Sequence, residues 1–168
     1  LEQSLPESDA QAVMPAWGYT DHEGHGTGMA GIALYDNLLE ALESQESVPI
    51  THSLESVKIL PPKGENQEEL YGAITQQGAL LAEINHPDRS RVFCMAITAD
   101  DKAKDGRPSS WSGAIDSLTS GVDDGNHRLF VVSAGNLNST DLMSVGYPES
   151  NRLFSIENPG QAWNAITV

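Results

Sequence analysis

The sequence predicts an open α/β sheet, a three-layer and mostly parallel arrangement with helices on both faces. Short apolar runs and amphipathic stretches alternate as strand, helix, strand, helix, strand, the pattern of right-handed parallel crossover units. The longest apolar run, residues 91–98, lacks polar alternation, as does a strand covered on both faces. At 168 residues and 39% hydrophobic, the chain is sized for one domain with one sizeable core, which argues against wholesale disorder.

In chain order, residues 1–24 are polar and rich in Pro and Gly, so they read as loop or extended chain ahead of an α/β core over 25–168. From Gly26 to about Ser44, Met29, Ile32, Ala33, Leu38, Leu39 and Leu42 recur at helical spacing. Ser56 to Leu60 is a short strand ended by Pro61-Pro62, which cannot continue a ladder. Asn66 is placed to cap a helix running to Asn85, with Leu70, Ile74, Gln77, Leu81 and Ile84 as its inner stripe. Residues 91–98 form the next strand, with Cys94 expected as a buried small hydrophobe. Pro108-Ser109-Ser110 opens a helix whose core face is Trp111, Ala114, Ile115, Leu118 and Val122. A strand at Arg128–Ser133 leads into Ala134-Gly135-Asn136, and a last strand spans Asn164–Val168.

Acidic residues outnumber basic ones 24 to 9, a formal charge of −15. A phosphate-backbone partner needs clustered Lys and Arg, so no nucleic acid is expected. No stretch approaches the ~20 apolar residues of a membrane-spanning helix. One cysteine excludes an internal disulfide framework and a multi-cysteine zinc site. The chain starts without Met, carries no signal-peptide pattern and stops on a strand, so it is expected to be a piece of a longer protein.

Ligands of such sheets bind beyond the carboxyl ends of the strands, here Ala96–Asp100 and Ser133–Asn136. The segment Asp21 to Gly31 is unusual for a helix entrance, with four glycines around His25. Interior glycines each cost a helix roughly 1 kcal/mol. Glycine-flanked, His25 can serve as an oriented base. Other readings of this segment are weaker. His22-x-x-His25 with Asp21 has zinc-ligand chemistry but no distant third ligand. The glycines lack both the Rossmann spacing and a Gly-Lys-Ser/Thr phosphate loop. His52, His86 and His127 read as solvated loop residues, and Ser112 and Ser133 as structural or solvated ones.

His25-Gly26-Thr27-Gly28-Met29-Ala30-Gly31 resembles the His-Gly-Thr-x-x-Ala-Gly motif of the subtilisin-like serine proteases (the subtilases, or S8-type peptidases). Val131 to Asn136 is similar to the strand that ends in their oxyanion-hole asparagine, and Val92–Thr98 to the strand that pairs with substrate. The resemblance implies a truncated subtilisin-like fold and hydrolysis of peptide bonds by a Ser-His-Asp triad. It implies that His25 is the general base and that Asn136 donates to the oxyanion. By the same resemblance, Ala96, Ile97 and Thr98 offer backbone to an extended peptide, and Gly135 forms floor beside the side-chain pocket.

Two departures stand out. Asp9 and Asp21, the aspartates upstream of His25, do not follow an apolar strand, and no Gly-Thr-Ser-x-Ala motif follows Asn136. The expectation is therefore a central catalytic-domain fragment, inactive alone, of a serine endopeptidase that acts on peptides or proteins. The alternative is a protease-like domain that binds peptides without cutting them. No cofactor and no metal are expected. Secretion is the family tendency, while compartment, cleavage specificity and oligomeric state stay open.

Overall fold

A computed structural model describes residues 5–99, 106–136 and 146–168, so Asp100 and the stretch 137–145 lie outside the described residues. Helices and parallel sheets build it, with no closed barrel. Two compact units divide the chain, 1–66 with 77–88 and 67–76 with 89–168.

In the first unit, β1 (Ala10–Ala12) pairs in parallel with β2 (Ser56–Lys58), placing Gln11 opposite Val57. The Val13 N–H extends this ladder to the Lys58 carbonyl at 3.0 Å. β1 lies within the stretch expected as loop or extended chain. Its Ala-Gln-Ala sequence offers no apolar run that would announce a strand.

The helix expected from 26 to 44 is two helices, α1 (His25–Tyr35) and α2 (Leu38–Glu43). Asp36 breaks them apart at a φ of 56°. Asn37 then caps α2, its side chain accepting the Glu40 N–H at 3.4 Å. Short polar side chains tolerate the left-handed region and compete with helical hydrogen bonds, so Asp36-Asn37 punctuates the apolar spacing. The helical spacing of the apolar residues does not mark a buried face here. Ile32, Leu38, Leu39 and Leu42 are 56%, 37%, 64% and 77% exposed, and Ala30 is the buried residue of α1. The break turns the later leucines off the stripe that one continuous helix would share.

α3 (Tyr71–Asn85) follows a single 3-10 turn at Glu68–Leu70, and its residues from 77 onward belong to the first unit. Asn66 does not cap it; its side-chain amide donates to the Ile59 carbonyl at 2.8 Å. In the first unit its buried face is Gly78, Ala79 and Ala82, whereas Ile84 of the expected stripe is 73% exposed. Close approach is the reason: a Cβ on Gly78 would lie 2.9 Å from Ile59 Cγ2. Small residues face the sheet because nothing larger fits.

The second unit holds a parallel sheet in the order β3 (Val92–Met95), β4 (Leu129–Val132), β5 (Ile166–Thr167). Phe93 sits opposite Phe130, their rings stacked at 4.8 Å, and Val131 opposite Ile166. α4 (Ser110–Ser120) starts on a capping box in which Ser109 and Ser112 satisfy each other's backbone N–H. Its inner face, Trp111, Ile115 and Leu118, is buried, as are Met95, Phe130 and Val132. Gly121 ends it at φ 66°, where a Cβ would meet the Asn126 carbonyl oxygen at 2.6 Å. Val122, expected on the core face, lies beyond the helix end and is exposed. β3 alternates instead of being covered on both faces: Met95 is buried, while Val92 and Cys94 are exposed. Cys94 is therefore not the buried hydrophobe that its apolar neighbours suggested. A short helix, α5 (Ser150–Leu153), precedes the final segment. No helix among the described residues is long and apolar enough to cross a membrane.

Candidate active site

The parallel register puts the carboxyl ends of β3 and β4 side by side, with Met95 opposite Val132. The chain leaving them, Ala96–Thr98 and Ser133–Asn136, occupies the edge where open α/β sheets hold ligands. Ala96, Ile97, Thr98 and Gly135 are half-buried, and Asn136 is exposed.

Ala134 is fixed from two directions. Its N–H donates to the Val168 carbonyl at 2.7 Å, and its carbonyl accepts the Glu157 N–H at 2.9 Å. Gly135 then turns the chain at φ 129°, a conformation that strains any residue with a side chain. Its N–H donates to Ser133 Oγ at 3.2 Å, so that hydroxyl serves the turn. Asn136 thus leaves a strand end whose last residues are anchored by backbone bonds.

The Glu157 side chain lies against this turn. A Cβ on Gly135 would lie 2.8 Å from both Cγ and Cδ of Glu157 and 3.0 Å from its Oε2. The Thr98 hydroxyl donates to that same oxygen at 2.6 Å. Reciprocal backbone bonds between Ala99 and Asn158, at 2.8 and 2.9 Å, hold the two segments together. One carboxylate therefore joins the ends of both strands. Sequence reasoning missed Glu157, because its partners are distant in the chain and its surroundings carry no periodicity; the nearest signal was the glycine at 135.

His25 belongs to the first unit, and the strand-end residues to the second. It is the exposed first residue of α1, behind Gly24 at φ 81°. Asp21 builds the helix entrance: one carboxylate oxygen accepts the Gly24 N–H at 3.0 Å, the other the Thr27 N–H and hydroxyl, both at 2.7 Å. These bonds, the Thr27 hydroxyl foremost, lower the Asp21 carboxyl below its ordinary 3.8. A depressed folded-state value means that the stabilisation is fully present above pH 3.8 and lost as pH falls through the folded value. Asp21→Ala is expected to destabilise the start of α1 by about 0.5–2 kcal/mol at neutral pH. Amide exchange at Thr27 reads this directly, and the gap between variant and parent closes in acid.

The described residues contain one set with metal-ligand spacing, Asp9, Glu55 and His86, whose candidate ligand atoms lie within 4.8 Å of one another. An imidazole with two carboxylates is a donor set that zinc accepts. The His86 Nε2 to Asp9 Oδ1 distance is 2.8 Å, that of a direct polar contact, and Asp9 is buried. The pair ties the residue before β1 to the residue after α3. His86 is thus half-buried and engaged, unlike the solvated residue its loop context suggested, while His52 and His127 are exposed. Asp21, His22 and His25 form no comparable set.

Compared with known protein families, the chain matches the model described as the subtilase family of S8 peptidases over residues 2–168. No curated protein and no solved structure matches it.

Proposed function

Because the chain belongs to the subtilase family, and so to the serine proteases, we propose that it is the central part of a serine endopeptidase catalytic domain. The turn Ser133–Asn136 carries this reading: it is a rigid strand end at the ligand edge of a parallel sheet, followed by an exposed side-chain amide. His25 is the general base that takes the nucleophile's proton and returns it to the leaving amine. Asn136 donates its amide to the oxyanion of the tetrahedral intermediate, and an extended peptide runs along Ala96–Thr98.

The acid and the nucleophile come from chain flanking these 168 residues. Within them, Ser112 is fully buried in the α4 capping box, and Ser133 Oγ accepts the Gly135 N–H. Asp21 has both oxygens on the α1 entrance. A fluorophosphonate reagent tests the assignment. It is expected to label a protein in which this chain is joined to its natural flanks, and not the 168-residue chain alone. Labelling of the chain alone would show that it holds its own nucleophile. Peptide binding with no labelling of the flanked protein would favour a domain that binds without cutting.

A further inference from the structure

We propose that Glu157 sets the substrate class, its carboxylate receiving a lysine or arginine side chain from the residue before the scissile bond. This rests on the reading of Ala96–Thr98 and Asn136 given under the proposed function.

The geometry follows from where that residue must lie. Its carbonyl has to reach the Asn136 amide, and its backbone has to run beside Ala96–Thr98. Its side chain is then directed toward the carboxylate that joins the chain leaving β3 to the chain leaving β4. Gly135 puts no side chain in the way, and Glu157 lies against it, 2.8 Å from where a Cβ would be. The Thr98 hydroxyl reaches Glu157 Oε2 from the β3 side, so the carboxylate sits between the two segments and belongs to neither.

Charge then selects the occupant. A carboxylate offers about four lone-pair positions on two oxygens, so the bond from Thr98 leaves it able to accept from an ammonium or guanidinium. Such charge-assisted bonds are roughly twice as strong as neutral ones, and arginine can make them in pairs. Glu157 is half-buried, so an apolar side chain laid against it would strip water from the carboxylate and return nothing. The formal charge of −15 acts in the same direction, drawing cationic peptides by a long-range field that salt weakens.

The Glu157 backbone holds the acid in place. Its N–H is bonded to Ala134, and its carbonyl accepts the Gly160 N–H at 2.8 Å. Gly160 is needed there, since a Cβ would lie 2.4 Å from Ile156 Cγ2. The acid is thus presented by a tight turn stitched to β4 and through Thr98 to the end of β3.

The test is equilibrium binding to the 168-residue chain, followed by amide shifts at Thr98 and Gly135. The probes are benzamidine against benzamide, and blocked tetrapeptides ending in arginine, glutamine or norleucine. Benzamidine and the arginine peptide are expected to bind about 10–100-fold tighter than their neutral counterparts. Glu157→Gln should abolish that preference while leaving the norleucine peptide bound, because glutamine still accepts the Thr98 hydroxyl. Equal binding of charged and neutral probes to the unaltered chain overturns the assignment while the peptide cleft stands. A variant that weakens all peptides equally also overturns it, by making Glu157 structural. Failure of every peptide to bind the folded chain overturns the cleft and the assignment together.

Discussion

Changing His25 to alanine in the protein joined to its flanking segments is expected to lower kcat for peptide hydrolysis by about 10⁶-fold, the magnitude that loss of the catalytic histidine has in subtilisin itself. At 1.36 kcal/mol per tenfold, it corresponds to about 8 kcal/mol of transition-state stabilisation. The loss should fall on kcat and leave KM little changed, because in the role proposed for it the imidazole acts on a proton in flight and does not hold the peptide. The fold should tolerate the change. His25 is exposed at the first position of α1, whose entrance is built by Asp21, Gly24 and Thr27. Thermal unfolding of the variant therefore separates a chemical role from a structural one. Unchanged turnover in His25→Ala would remove this residue from the mechanism, whatever its motif.

What the sequence made legible was what short-range patterns encode. The parallel strand order follows from apolar runs separated by helical stretches, and the pairing of β3 with β4 and of β4 with β5 agrees with it. Capping at Ser109 is likewise a local event, readable from Pro108-Ser109-Ser110. The places of His25 at a helix start and of Asn136 just past a strand end were legible because a motif packs helix entrance and strand end into a few residues each.

The misreadings have a common physical origin in what lies across space. Asp36-Asn37 breaks a helix whose apolar spacing continues unbroken in the sequence. α3 buries small residues against β2 because the sheet approaches it closely, a distance that periodicity of large side chains does not register. Cys94 has apolar neighbours on both sides, yet alternation along β3 puts it on the exposed face. The Thr98–Glu157 bond spans 59 residues, and the Asp9–His86 pair links the two ends of the first unit's sequence. A loop histidine and a loop glutamate look alike in sequence whether solvated or engaged. Only the fold tells them apart.

Trp111→Ala should cost the second unit about 3–5 kcal/mol, the usual range for deleting a buried large aromatic. Trp111 is 5% exposed, and its ring lies 4.9 Å from that of Tyr71. Its Nε1–H donates to Thr75 Oγ1 at 2.8 Å, and the Thr75 hydroxyl in turn donates a hydrogen bond to the Tyr71 carbonyl at 2.9 Å. The alanine variant thus loses packing, an aromatic pair and a hydrogen bond at one stroke. Close packing of the neighbouring helix limits the repair: a Cβ on Gly72 would lie 2.9 Å from Ala114 Cβ. Trp111→Phe isolates the polar part. It keeps most of the buried area and leaves Thr75 bonded to Tyr71, so it should cost only about 1 kcal/mol. Urea unfolding at constant m-value reads both numbers. Against a typical total of about 5–15 kcal/mol, the alanine variant should populate opened forms measurably. Those forms should appear at the strand-end turn, because it is stitched to β4, whose Phe130 and Val132 lie in the same unit's core. Faster amide exchange at Gly135 in Trp111→Ala, with Trp111→Phe near the parent, would show that the α4 core holds the strand-end turn in place. Exchange at Gly135 that ignored both substitutions would mean that the turn is held by its own bonds to Ser133, Val168 and Glu157 alone.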